Sequence, residues 1–208
     1  MYQTTGNAQL RALHTSVDAP AVDIYINGLP AITNLAFGQI SNYASVAAGN
    51  QRIQLFPAGL GAAGGAVIDT YVDLLGDQSY TLAAIGPLGN IKSALLLDTT
   101  PAPSSDMAKA RVFHASPDAP AVDVAVKGGP ALFRHVSFGE ATPFVDLSPS
   151  IVSLEVLPSG SDKSILSIPD YSIEGGKLYT FAAMGKIEGM PAFFVMPIVD
   201  VVPVRVTM

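Results

Sequence analysis

The chain has 208 residues, room for one large domain or two small ones; 49% are hydrophobic and only 13% charged, the opposite of a disordered composition. A net charge of −6 argues against a phosphate-gripping surface of clustered Lys and Arg. With no Cys there can be no disulfide, thiolate metal site or cysteine nucleophile.

In chain order, Met1–Asn7 offers neither a basic n-region nor an apolar h-region, so a signal peptide is lacking or already removed. Val22-Asp23-Ile24-Tyr25-Ile26 places β-branched residues at every second position, the period of a half-buried strand, and Asn27-Gly28 follows as a turn. Arg52–Phe56 alternates in the same way and stops at Pro57. Gly59-Leu60-Gly61-Ala62-Ala63-Gly64 spells the dinucleotide-binding glycine string, but without a βαβ context it reads as a flexible hairpin tip. Val67–Leu75 is the best helical candidate; its aligned partner Ile165–Ile173 contains Pro169, which argues against a helix in both. Pro101–Asp106 has the composition of a linker. The apolar run Ala192–Val199 is far shorter than the roughly 20 residues of a spanning helix and carries Pro197, so a soluble chain without a membrane span is expected. Val199–Met208 reads as a last strand, with strand addition to a neighbour's open edge as the sharper alternative.

The organising feature is a duplication. Arg11–Ile24 lies over Arg111–Val124, with 9 of 14 pairs identical. Phe37-Gly38 meets Phe138-Gly139, Phe56–Gly59 meets Leu157–Gly160, and Tyr80–Gly86 meets Tyr179–Gly185. Turn signals recur every 8–12 residues or so, the spacing of an all-β sandwich. The expectation is an all-β chain of two tandem immunoglobulin-like antiparallel β-sandwich domains, residues 1–100 and 101–208, joined through a linker at about 99–109, with seven or eight strands in each.

One decapeptide recurs: His14, Ser16, Asp18, Pro20 and Asp23, then His114, Ser116, Asp118, Pro120 and Asp123. Ser116-Pro117-Asp118-Ala119 suits a type I turn, and Ser16 and Ser116 can accept the amide two residues ahead. Asp18 and Asp118 cannot, because a proline stands there, so their carboxylates must find other donors or project outward. If Leu13 and Phe113 mark the core side of the first strand, His14 and His114 lie off the core. A hairpin would then pair each His with Asp23 or Asp123 across strands, as a structural bond or as a small polar site.

This decapeptide resembles the signature His-Ala-Ser-Pro-Asp-Ala-Pro-x-Val-Asp-Val of the bacterial domain of unknown function 4397 family. His114–Val124 fits it throughout; the first copy departs mildly at Thr15, Val17 and Ile24. The resemblance implies an immunoglobulin-like sandwich and a bacterial envelope or extracellular setting. It brings no activity and no catalytic residues.

The chemistry these residues could carry is limited. Ser–His–Asp catalysis needs a geometry that His14 and Ser16, two apart beside one strand, do not suggest. Calcium needs six to eight oxygens, of which Asp18 or Asp118 and a serine supply few, and His14, His114 and His135 lack zinc spacing. Scarce aromatics, 8% with no Trp, weaken a glycan site. The expected function is therefore a non-catalytic structural or adhesive protein of the cell envelope or exterior. It would need no cofactor and no nucleic acid, and its partner would be an unidentified protein or surface, homotypic contacts included. The alternative is a calcium- or glycan-binding module using the eight His, Ser and Asp residues of the motif, and a hydrolase comes third.

Overall fold

The computed structural model describes residues 5–201, and the chain divides into two compact units between Thr99 and Thr100. The first contains β1 (Asn7–His14), β2 (Val22–Ile26), β3 (Leu29–Leu35), β4 (Ala44–Ala47), β5 (Gly49–Pro57), β6 (Ile68–Leu74), β7 (Ser79–Ile85) and β8 (Lys92–Leu97). The second repeats the series as β9 (Ala108–His114), β10 (Val122–Val126), β11 (Ala131–Val136), β12 (Val145–Leu147), β13 (Ser150–Pro158), β14 (Leu166–Ile173), β15 (Lys177–Met184) and β16 (Phe194–Val201). The fold is all-β, two tandem β-sandwiches. Among the described residues helix is confined to two 3₁₀ turns, Gly61–Gly64 and Leu88–Asn90, and no helix is long and apolar enough to cross a membrane.

Each unit stacks two four-stranded sheets: β4-β1-β7-β8 over β3-β2-β5-β6, and β12-β9-β15-β16 over β11-β10-β13-β14. Pairing is antiparallel except at the centre of one sheet per unit, where β1 runs parallel to β7 and β9 to β15. The chain therefore leaves the first sheet at His14 and builds half of the second, β2 and β3, before β4 returns to the first, so the motif is the crossing between the two sheets. The segment weighed as a helix is β6, and its partner β14 takes Pro169 on a sheet edge, where a missing N–H costs no ladder bond. The glycine string forms the first 3₁₀ turn, in the β5–β6 connection. The expected last strand begins within β16, whose final residues Val199–Val201 pair with β15; the rest of Val199–Met208 lies outside the described residues.

The core of the first unit is mainly aliphatic, with Leu10, Ile24, Ile53, Leu55, Leu74 and Leu82 buried around Tyr80. That of the second is more aromatic: Tyr179 stacks on Phe181 with centroids 6.0 Å apart, and Tyr171 meets Phe181 edge-on at 5.3 Å. In both units the tyrosine near the start of the central strand accepts a backbone amide five residues upstream, Leu75 N–H to Tyr80 Oη at 3.1 Å and Glu174 N–H to Tyr179 Oη at 2.9 Å. This is the tyrosine-corner device of immunoglobulin-like sandwiches, and it fixes the turn that enters the strand.

Candidate functional site

The inner face of β1 carries Ala8, Leu10 and Ala12, and that of β9 Ala108, Ala110 and Val112. His14 and His114 continue this parity and are fully buried, while Leu13 and Phe113 stand on the opposite face, also buried. The expectation that the histidines lie off the core is thus reversed. Large residues on the outer face and alanines on the inner one made the strand's parity misleading.

The cross-strand His–Asp pair is also absent, because β1 and β2 belong to different sheets. Each imidazole instead donates from Nε2 to the carbonyl of the proline six residues on, His14 to Pro20 and His114 to Pro120, both at 3.0 Å. A carbonyl can only accept, so Nε2 carries the proton and Nδ1 is the acceptor. Ser116 N–H reaches His114 Nδ1 at 3.3 Å; the Nδ1 of His14 and the Oγ of Ser16 are buried without a partner. Burial pushes both histidines below their ordinary pKa, against the opposing pull of the proline carbonyl.

The aspartates find backbone donors. Asp18 accepts Leu88 N–H at 2.7 Å, and Asp118 accepts Ile187 N–H at 2.9 Å and Glu188 N–H at 3.1 Å, so each ties the crossing to the loop leaving the central strand β7 or β15. Partial burial pushes the Asp118 carboxyl up, but the Glu188 and Ile187 amides and the Ser116 hydroxyl outweigh it and hold the group below the usual carboxylate range. Ser116 does not close the expected serine turn. Its hydroxyl donates to Gly185 O at 2.7 Å, a bond to the same neighbouring loop.

Asp23 and Asp123 anchor the other end. Asp23 accepts Asn34 N–H and Gly59 N–H, both at 2.8 Å; Asp123 accepts His135 N–H and the Ser159 hydroxyl, both at 2.7 Å. Asn34 and His135 have φ of 54° and 52° at an irregularity in the β2–β3 and β10–β11 ladders, a conformation that a carboxylate cap on the amide helps to hold. For Asp123 the desolvation cost is again outweighed, by the His135 amide, the Ser159 hydroxyl, Arg134 and the Gly160 amide, and the pKa lies low. The repeated Phe-Gly completes the arrangement. Gly38 N–H bonds His14 O at 2.8 Å and Gly139 N–H bonds His114 O at 2.7 Å, each glycine at a positive φ that other residues rarely adopt.

Three features escaped the sequence reading. His135 Nδ1 lies 3.2 Å from Ser159 Oγ, which itself donates to Asp123. The serine proton is committed to the carboxylate, so the imidazole is not placed to remove it, and the order Asp–Ser–His is not that of a nucleophilic triad. Buried Arg11 donates to Thr81, which donates to Asp98 at 2.6 Å, and Tyr43 joins the same carboxylate at 2.7 Å; Arg111 and Thr180 repeat the first bond. Identity of Arg and Thr in both copies was the available signal. Asn27 Nδ2 donates to buried Gln51 at 2.6 Å, and the second copy has no such pair of amide side chains, so the repeat pointed away from it. Among the described residues no group of three or more His, Asp or Glu is arranged to hold a metal ion.

The motif is thus a clasp, with one carboxylate on each sheet's loops and the imidazole holding the crossing between them. Its sequence matches one family twice, over residues 8–125 and 111–203. The chain belongs to the family described as Domain of unknown function (DUF4397). The two matches agree with two tandem copies of the DUF4397 domain. No curated protein matches. Among solved structures the chain is similar to one titled the Bacillus anthracis TIE protein, at 8% identity and a TM-score of 0.26, over 88% of this chain and 34% of that one. This DUF4397 chain therefore spans about a third of that protein, and so slight a likeness bears on neither fold nor function.

Proposed function

We propose that this DUF4397 chain is a non-catalytic structural or adhesive protein of the bacterial envelope or exterior, in which two sandwiches present surfaces or space other modules. The observation that carries this reading is the use of the motif carboxylates. Both oxygens of Asp118 accept backbone amides, and Asp23 and Asp123 are each held by a strand amide and a loop donor. Groups tied down so fully serve to hold strands rather than to turn over a substrate, since a catalytic acid or base must be free to exchange its proton with one. The envelope setting rests on the family signature.

The test is to delete the chain in a bacterial host that makes it and to locate the protein by cell fractionation. Recovery in the envelope or medium, with altered attachment of the cells to a surface and restoration by the wild-type chain, is the expected result. Recovery in the cytosol, or attachment unchanged by the deletion, overturns the reading.

A further inference from the structure

Away from the motif, the second unit holds a cavity of about 200 Å³ between its sheets. Val124, Leu132, Phe133, Leu154, Ile173 and Phe181 form its walls, and Ser148 and Ser150 supply its hydroxyls. Val122 pairs with Pro158 at the motif end of the sandwich and Val126 with Leu154 toward the other, so the cavity lies at the end remote from His114. Half-buried Val126, Leu147 and Val152 form its rim with the two exposed serines.

The first unit carries different residues at this end. Gln51 occupies the position of Val152, is buried, and accepts Asn27 Nδ2 at 2.6 Å while reaching toward Ala48 O. The second unit has Lys127, exposed, in place of Asn27, so the polar plug is replaced by an opening lined with hydrocarbon. Water held in such a space needs two to four polar partners, and the serines sit only at the rim, where Ser150 Oγ already donates to Ser148 O. An apolar cavity of about 150 Å³ stays dry and takes up benzene, so this one is of a size to gain from a hydrocarbon guest. No charged group lines it, which excludes an ionised ligand inside, while the Ser148 hydroxyl at the rim can donate to a polar head left outside.

We propose that the second sandwich binds the hydrocarbon end of a free, medium-length acyl chain, with its head at the Ser148–Ser150 rim. This stands independently of the motif's role as a clasp. The probe is octanoate, below the concentration at which it forms micelles, followed by methyl NMR on the full chain. Saturable shifts at Val124, Leu154 and Ile173 are expected, with Ile24, Ile53 and Leu74 unmoved. The double variant Lys127→Asn, Val152→Gln copies the plug of the first unit and is expected to weaken binding at least tenfold. Should it not fold, Val152→Phe fills the same space with hydrocarbon and must show the same loss. No shifts in the wild type, equal shifts in both units, or full affinity in a folded plugged variant overturns the proposal.

Discussion

The two units carry the same motif and the same strand order, yet differ at the ends of their sandwiches and in the way the motif is tied down. The first holds Asp23 almost wholly buried between two backbone amides; the second holds Asp123 nearer solvent, on the His135 and Gly160 amides and the Ser159 hydroxyl, with Arg134 3.9 Å away. At the far end the first buries a hydrogen-bonded Asn27–Gln51 pair, where the second has Lys127 and Val152 beside a cavity. Duplication preserved the crossing between sheets and let the remote end diverge. The constraint therefore lies in the topology. A segment that leaves one sheet and enters another has backbone amides in its neighbouring loops that no ladder can satisfy, and the two aspartates answer that need in both copies.

The largest effect that probes this comparison is loss of the second aspartate. Asp23→Ala strips two amides of a charged acceptor and leaves them in a place with little water, which is expected to cost about 3 kcal/mol. Asp123→Ala should cost less, about 2 kcal/mol, because water can reach the amides it leaves behind and its third donor, the Ser159 hydroxyl, can turn to another acceptor. Urea unfolding followed by NMR signals from each unit separates the two. Equal losses would remove the distinction between a buried and a semi-exposed anchor, and no loss in either would end the clasp as an explanation of the motif.

Much of this was legible in the sequence. The period of two in Val22–Ile26, the proline that excluded a helix at Ile165–Ile173 and the repeated Tyr-Thr segment all carried local physics, and local physics sufficed for an all-β duplication. The proline after Asp18 and Asp118 even required a donor from elsewhere. What could not be read was which strands are neighbours. The histidine and Asp23 are nine residues apart, a hairpin's distance, but the chain changes sheets between them, and parallel pairing of β1 with β7 joins residues some 70 apart. The parity of β1 failed for a related reason: both faces are buried, so apolar size no longer marks the core side. Asn27 and Gln51 were invisible because nothing in a turn residue and a strand glutamine announces a shared hydrogen bond.

The buried histidines make the stability of each unit depend on pH. Both have folded pKa values lowered by burial, so the unfolded chain binds protons first as the solution is acidified. Their contribution is complete above about pH 6.5, the ordinary histidine value, and is lost as the pH falls from there toward the lower folded values. The slope is at most about 1.4 kcal/mol per pH unit for each histidine. Asp118 and Asp123 do not interfere, because their own contribution begins to fade only as the pH drops through the ordinary carboxylate range near 4. Protonation at His114 also sets a second N–H against the Ser116 amide, whereas Nδ1 of His14 faces no such donor. Melting temperatures between pH 7 and 5 should therefore fall in the wild type, and His114→Gln should flatten the fall more than His14→Gln. A flat wild-type profile would mean that the imidazoles take up protons equally in the folded and unfolded chain, so that burial does not hold them neutral; a rise on acidification would mean that they are protonated in the fold and the assigned tautomer is wrong.

The smallest expected effect tests whether the two crossings are interchangeable. The second copy has Pro117 where the first has Val17, at the second position of the turn between the serine and the first aspartate. If the two turns share one backbone path, as their common His–Pro bond of 3.0 Å and their aspartate-to-loop bonds indicate, Val17 already has a φ that proline accepts. Val17→Pro then removes freedom from the unfolded chain without disturbing the fold, and should stabilise the first unit by about 0.4–1 kcal/mol. The reverse exchange, Pro117→Val, should cost the second unit a similar amount. Urea midpoints moving in opposite directions for the two substitutions would establish that the crossings are equivalent. A loss from Val17→Pro would instead place the difference between the copies in the backbone of the motif itself, and the unpartnered Ser16 hydroxyl and His14 Nδ1 would then be its visible consequence.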